Sequence, residues 1–217
     1  MRNVRHLGIL GGSFDPIHYG HLRGAEEIRE ILGLDLLLFV PTGCSPHKGK
    51  SPIASPKQRL AMVDLAIVSN PACKVSDYEI EHKETLSHSI FTLEYLKSEY
   101  KSASFYLIVG SDVFVYFHHW KRYNDILDIT NIAIMARPYY ARTYVPTAIQ
   151  AQKLNNPGQS VQKWLLPSGN TIYDYQITAL NISSSQIRDS LKQKKSIRYL
   201  TTPDVCNYIY SNGLYLD

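Results

Sequence analysis

Gly11-Gly12-Ser13-Phe14-Asp15-Pro16-Ile17-His18-Tyr19-Gly20-His21 follows a short apolar run, His6 to Leu10. It leads into a segment of helical spacing, from about His21 to Leu32, that ends at Gly33. Strand, glycine turn and helix make a βα unit. Paired glycines let the backbone approach a ligand closely, and the helix N-terminus beyond them offers open N–H groups and a positive dipole end. The turn therefore reads as an anion site, with phosphate the natural guest. His18 and His21 are three apart, so within one helical turn they project from one face with Gly20 leaving room between them, and one ligand can touch both. Imidazole N–H groups there would neutralise charge developing on a phosphoryl group without bonding to it. The alternatives are a pair of capping or core histidines, or a metal site. Two histidines without an evident third ligand make a poor zinc set.

Outward from this unit, strands keep alternating with helices. Leu36 to Val40 reads as a strand, Lys57 to Ser69 as a helix, Lys74 to Ile80 as a third strand and Ile90 to Tyr100 as a helix. Phe105 to Val109 and Ile132 to Ala136 read as further strands, and Thr171 to Ile177 as the last. Ser184 to Leu191 and Pro203 to Ser211 close the chain as helices. Tyr139 to Gly169 is polar and reads as an irregular insertion, partly helical near Ala148 to Leu154. The pattern predicts one α/β domain over residues 1–217 with a doubly wound, mostly parallel sheet of Rossmann-like form, whose ligands gather beyond the carboxyl ends of the strands.

Composition narrows the function. With 44% apolar and 19% charged residues, the balance is that of an ordinary globular chain. Lys and Arg number 23 against 19 Asp and Glu, a net +4 that suits a small anionic substrate and is no nucleic-acid signature. Cys44, Cys73 and Cys206 are odd in number and form no C-x-x-C pair, which predicts thiols in a reducing, cytoplasmic setting. Met1 to Gly12 has no small-residue cleavage site and reads as a strand, not a signal peptide. The longest apolar run, around Leu34 to Val40, falls far short of the roughly 20 residues of a membrane helix. Oligomeric state is not legible.

A second phosphate-suited element lies near the C-terminus. In Asn181-Ile182-Ser183-Ser184-Ser185-Gln186-Ile187-Arg188, Ser183 and Gln186 have capping-box spacing, so a helix begins with N–H groups facing outward, and Arg188 adds a forked cation. Pro46-His47-Lys48 sits in the long loop after the second strand, where Lys48 can close over phosphates. Gly110-Ser111-Asp112 ends the strand Phe105 to Val109.

Gly12, Phe14, Asp15, Pro16, His18, Gly20 and His21 match the Gly-x-Phe-Asp-Pro-x-His-x-Gly-His signature, so the chain resembles the nucleotidyltransferases that carry it. Within them it resembles the bacterial nicotinate-mononucleotide adenylyltransferases. The similarity runs from residue 8 to residue 215, with Tyr139 to Gly169 unmatched. It implies attack by a substrate phosphate on the α-phosphorus of ATP carried with Mg2+, pyrophosphate leaving and no covalent enzyme intermediate. It also implies that His18 contacts the transferred phosphate and His21 supports the triphosphate. Ile182, Ser183, Ser184, Ser185 and Arg188, which look like the family's Ile-Ser-Ser-Ser/Thr-x-Ile-Arg, would meet the β and γ phosphates. Lys48 in Pro-His-Lys would act with them, and His47 lies beside it.

The resemblance sets Gly11, Gly12, Ser13 and Phe14 against ATP, with Ser13 and Phe14 also near the nucleotide acceptor, and Gly110 and Asp112 at sugar hydroxyls. Trp120 falls where the nicotinate branch keeps an aromatic on the pyridine ring, and Arg137-Pro138 resembles an Arg-Pro near the adenine end. Ser87-His88-Ser89-Ile90-Phe91-Thr92-Leu93 resembles Ser-Tyr-Thr-x-x-Thr-Leu, with His88 for Tyr and Ser89 for Thr. Hydroxyl and backbone donors near Thr85 to Ser89 stay in place, and the resemblance implies that main-chain N–H groups there, with Ser87, face the nicotinate carboxylate. Other readings are transfer to nicotinamide mononucleotide or phosphopantetheine, a cytidylyltransferase, or a catalytically silent nucleotide-binding module.

Overall fold

The computed structural model describes residues 4–44, 53–82, 87–136, 145–154 and 161–216. In chain order its elements are β1 (His6–Gly12), α1 (Tyr19–Leu32), β2 (Leu36–Pro41), α2 (Pro56–Ile67), β3 (Cys73–Val75), α3 (Tyr78–Glu81), α4 (Ser89–Glu99) and β4 (Ser104–Gly110). There follow α5 (Ser111–Phe114), a 3-10 turn (Phe117–His119), α6 (Tyr123–Ile129), β5 (Asn131–Ala136), β6 (Gln152–Leu154), β7 (Gln162–Leu165), β8 (Thr171–Gln176), α7 (Ser184–Lys192) and α8 (Pro203–Ser211).

The strands form one eight-stranded sheet in the order β3-β2-β1-β4-β5-β8-β7-β6, so the order reverses direction between β1 and β4, the mark of a doubly wound α/β fold. β1 pairs with β4, β4 with β5 and β5 with β8, all in parallel. β2 is apolar throughout and buried at every position, as expected of a strand covered on both faces. Ile132, Ala133 and Ile134 of β5 are likewise inaccessible.

Two local expectations are corrected. Lys74 to Ile80 is not one strand: β3 stops at Val75, and Ser76-Asp77 turns the chain into α3, with the Ser76 hydroxyl accepting the Tyr78 N–H and the Asp77 carbonyl accepting that of Ile80. The insertion is irregular over 145–151, as expected, but it is not helical there and its described part also holds two strands. Gln152–Leu154 and Gln162–Leu165 are strands, antiparallel to each other and, through β7, to β8. The pairing partners are distant in sequence, so local periodicity carries no trace of them. The half-buried β7 and the buried Trp164 anchor this hairpin, and the Lys153 ammonium lies 5.8 Å from the Trp164 ring centre. α6, absent from the periodicity reading, is only seven residues long but buries Ile126 and Leu127.

The chain divides into two compact units: Met1–Leu10, Gly24–Leu37 and His88–Ala179 in one, and Gly11–Arg23, Leu38–Ser87 and Leu180–Asp217 in the other. In the first, the last turns of α1 press closely on the sheet. A Cβ on Gly24 would lie 2.8 Å from Ile177 Cδ1, and one on Gly8 would lie 2.6 Å from Leu34 Cδ1. Glu27, buried on the same helix, accepts the Thr178 N–H at 2.7 Å just past β8. Arg122, in the left-handed region at φ 53°, joins Glu94 of α4 to Asp125 of α6, an exposed bridge of small energetic weight. Among the described residues no helix is long and apolar enough to cross a membrane.

In the second unit, α2 opens with a complete capping box between Ser55 and Gln58 and packs against α8. The segment after β2 is equally constrained. The Thr42 N–H donates to Gly12 O, and a Cβ on Gly43 would collide with the carbonyl oxygen of Glu79. Because that obstacle is backbone, Gly43→Ala is expected to cost about 1–3 kcal/mol of stability. A lowered urea midpoint would register this, and an unchanged midpoint would show that the Glu79 carbonyl gives way freely.

Candidate active site

The glycine turn is held open by charges placed beneath it. Phe14, in the left-handed region at φ 47°, is buried against Phe39 (5.9 Å between ring centres) and meets the His21 ring edge-on at 5.2 Å. A Cβ on Gly12 would sit 3.1 Å from the Phe14 ring, so the second glycine leaves room for this aromatic. Next to it, the buried Asp15 carboxylate accepts the Ile53 N–H on Oδ2 at 2.9 Å, the Ala54 N–H on Oδ1 at 3.0 Å and the Tyr215 hydroxyl on Oδ1 at 2.7 Å. Arg59, 1% exposed on α2, donates to the carbonyls of Ser13 and Thr42 at 2.6 Å each and of Ala54 at 3.3 Å. Burial lowers the proton affinity of that guanidinium and the charge of Asp15 restores part of it. Burial, then the bond to Asp15, holds the Tyr215 phenol well above the ordinary tyrosine range.

His18 stands immediately before α1 rather than in its first turn, and its carbonyl accepts the N–H groups of His21 and Leu22. The two imidazoles stack, with ring centres 3.7 Å apart and planes at 26°. Gly20 fits this approach with little room to spare. A Cβ would lie 3.0 Å from His18 ring atoms and 3.4 Å from the Ile182 carbonyl. The helix N-terminus is less open than its sequence implied, since the Tyr19 N–H is taken by Leu200 O at 3.1 Å.

The second motif is fastened to the first. The Ser183 hydroxyl caps α7 by accepting the Gln186 N–H, and Ser184 Oγ donates to Pro16 O at 2.8 Å. Arg188 Nη1 donates to Asp15 O at 2.7 Å and lies 3.8 Å from its carboxylate, while Nη2 donates to Ser185 Oγ at 3.2 Å. Thr201 Oγ1 donates to Ile17 O at 2.8 Å. Two stretches 168 residues apart thus bring a guanidinium and a pair of stacked imidazoles into one part of the fold.

Lys48 and His47, Thr85 and Arg137 lie outside the described residues. Ser87 is engaged at the base of the segment after β2: its oxygen accepts the N–H groups of Gly43 and Cys44 at 3.0 and 3.1 Å, and its own N–H donates to Cys44 O. His88 is the N-cap of α4 and packs on Phe91. In the other unit, Gly110 ends β4 and Asp112 stands in the first turn of α5, with a hypothetical Gly110 Cβ 2.5 Å from its Oδ1. The half-buried Trp120 follows the 3-10 turn, 4.9 Å from the Phe117 ring centre. Among the described residues no three His, Cys, Asp or Glu side chains gather as metal ligands.

The cytidylyltransferase-like family model matches residues 9–190. The probable nicotinate-nucleotide adenylyltransferase of Acidithiobacillus ferrooxidans is 36% identical over 209 residues, covering 96% of this chain and 95% of that protein. The chain belongs to the nicotinate-nucleotide adenylyltransferase family. A protein of the same description from Trichlorobacter lovleyi is 39% identical over 213 residues, covering 96% of this chain and 98% of its own. The Plasmodium falciparum nicotinic acid mononucleotide adenylyltransferase complexed with NaAD shares the fold, with a TM-score of 0.72 at 21% identity and 97% of each chain covered.

For this adenylyltransferase-family chain, sequence reasoning passed over three residues that shape the site. Asp15 stands in the signature without an evident task, Arg59 sits inside an ordinary helix, and Tyr215 lies beyond the last predicted helix. The one signal is a charged residue three and four positions before the buried Met62 and Val63, on the same helix face. Arg59→Met leaves the carbonyls of Ser13, Thr42 and Ala54 without their donor, an expected loss of about 2–5 kcal/mol. Urea unfolding measures it, and Arg59→Lys, with one ammonium for three acceptors, should recover only part.

Proposed function

We propose that the chain transfers the adenylyl group of ATP to nicotinate mononucleotide in NAD biosynthesis, giving the deamido dinucleotide and pyrophosphate. The observation that carries the reading is the fastening of Ser184 and Arg188 to Pro16 and Asp15, beside the His18–His21 stack. A phosphate oxygen of the acceptor attacks the α-phosphorus, and the bond from that phosphorus to the oxygen bridging to the β-phosphate breaks. The leaving pyrophosphate takes that bond's electrons. Mg2+ enters with ATP as part of the substrate, held by phosphate oxygens and water.

Catalysis is positional and electrostatic. His18 donates to the transferred phosphate, His21 and Lys48 to the triphosphate, and Arg188 with Ser183 to Ser185 to the β and γ phosphates. Gly11 to Phe14 and Ile182 bring main chain to the nucleotide. Asp112 serves sugar hydroxyls and Trp120 the pyridine ring, with Ser87 and Thr85 on the acceptor side and Arg137 near the adenine end. The family model's match through both compact units supports one working domain. Three free cysteines support a cytoplasmic setting.

The direct test is pyrophosphate release from ATP and Mg2+ with nicotinate mononucleotide, nicotinamide mononucleotide and phosphopantetheine offered separately. Preference for the first is expected. Turnover with another acceptor alone would retain the phosphate chemistry and discard the substrate, while ATP binding without turnover would leave a nucleotide-binding module. His18→Ala should lower kcat by about 10²–10³-fold with an unchanged circular dichroism spectrum. Near-normal turnover in that variant would remove His18 from the mechanism.

A further inference from the structure

Tyr215 is a buried phenol in a place where a phenylalanine would fill the same space. The residue is 4% exposed and its backbone lies in the left-handed region at φ 65°, a conformation that a bulky side chain rarely adopts. The chain is delivered there by the end of α8: Asn212 caps the helix, Gly213 turns at φ 59°, and the Leu214 N–H returns to Ile209 O. The outcome of this strained path is a single polar contact, the hydroxyl donating to Asp15 Oδ1.

Asp15 is the joint of the site. Its side chain takes the Ile53 and Ala54 N–H groups, its main-chain carbonyl takes Arg188, and its neighbour Phe14 is itself left-handed. The backbone amides take one carboxylate oxygen each, and the Tyr215 hydroxyl adds the side-chain donor, on the oxygen shared with Ala54, that ties the carboxylate to the end of the chain beyond α8. We propose that Tyr215 is a positioning residue for adenylyl transfer: through Asp15 it sets the angle at which Arg188 and the turn leading to His18 are presented to the phosphates. The proposal rests on the functional reading above.

The test uses the full chain and the Tyr215→Phe, Arg188→Lys and combined variants. Removing a hydrogen bond to a charged group should lower kcat about tenfold in Tyr215→Phe, with KM for ATP changed less than about twofold. The double variant should be no slower than Arg188→Lys, because both changes act through one joint. A wild-type kcat in Tyr215→Phe, multiplicative losses in the double variant, or a loss matching the unfolded fraction would overturn the proposal.

Amide hydrogen exchange is read in parallel: exchange at Ile53 and Ala54 should quicken in Tyr215→Phe while Val40 and Ile209 keep their protection. Should the wild-type chain itself turn over no acceptor, the functional reading fails. The exchange data then decide alone whether Tyr215 holds Asp15, unchanged rates at Ile53 and Ala54 refuting it.

Discussion

A carboxylate taken out of water must be repaid in hydrogen bonds, and the burial of Asp15 imposes that requirement on the segments around the glycine turn. Its oxygens draw in the chain just before α2 and the last turn after α8, while its carbonyl draws in α7. Arg59 completes the arrangement from below by binding three carbonyls that no secondary structure satisfies. Opposite charges buried close together are weak evidence for stability, but they are strong constraints on geometry, because few arrangements satisfy both. Under the proposed function, that is what a catalyst working by orientation requires: imidazoles and a guanidinium whose places are set before the substrate arrives.

Steric limits do the complementary task. Gly20 keeps the His18 ring where it stacks on His21, Gly12 makes room for Phe14, and Gly43 lets the chain pass under Glu79. Each position is defined by what a methyl group would strike. Hydrogen bonds pull the segments together and missing side chains permit the approach, so the signature's glycines and its aspartate are parts of one mechanical solution.

Much of this was legible in the amino-acid sequence because it is local. Buried strands such as Leu36–Pro41 announce themselves as apolar runs, and Ser183 three residues before Gln186 marks a helix start whatever surrounds it. What stayed hidden depends on distance along the chain. The β6–β7 hairpin exists because Trp164 finds cover and β8 offers its edge, and neither fact is written in residues 148–165. Tyr215 has the same difficulty: its partner is 200 residues away, and a tyrosine near an apolar helix end looks like packing. Ser76-Asp77 shows the opposite failure, where alternation outvoted two turn-forming residues.

The outermost strand has a consequence for the chain among its neighbours. β6 is three residues long, exposes Gln152 and Lys153, and carries its ammonium across the face of Trp164. A border so short, and charged at its centre, offers another polypeptide little to register against, so the sheet ends there without inviting a copy of itself to continue it. In a crowded solution, that protects against fibril growth from an otherwise extendable edge.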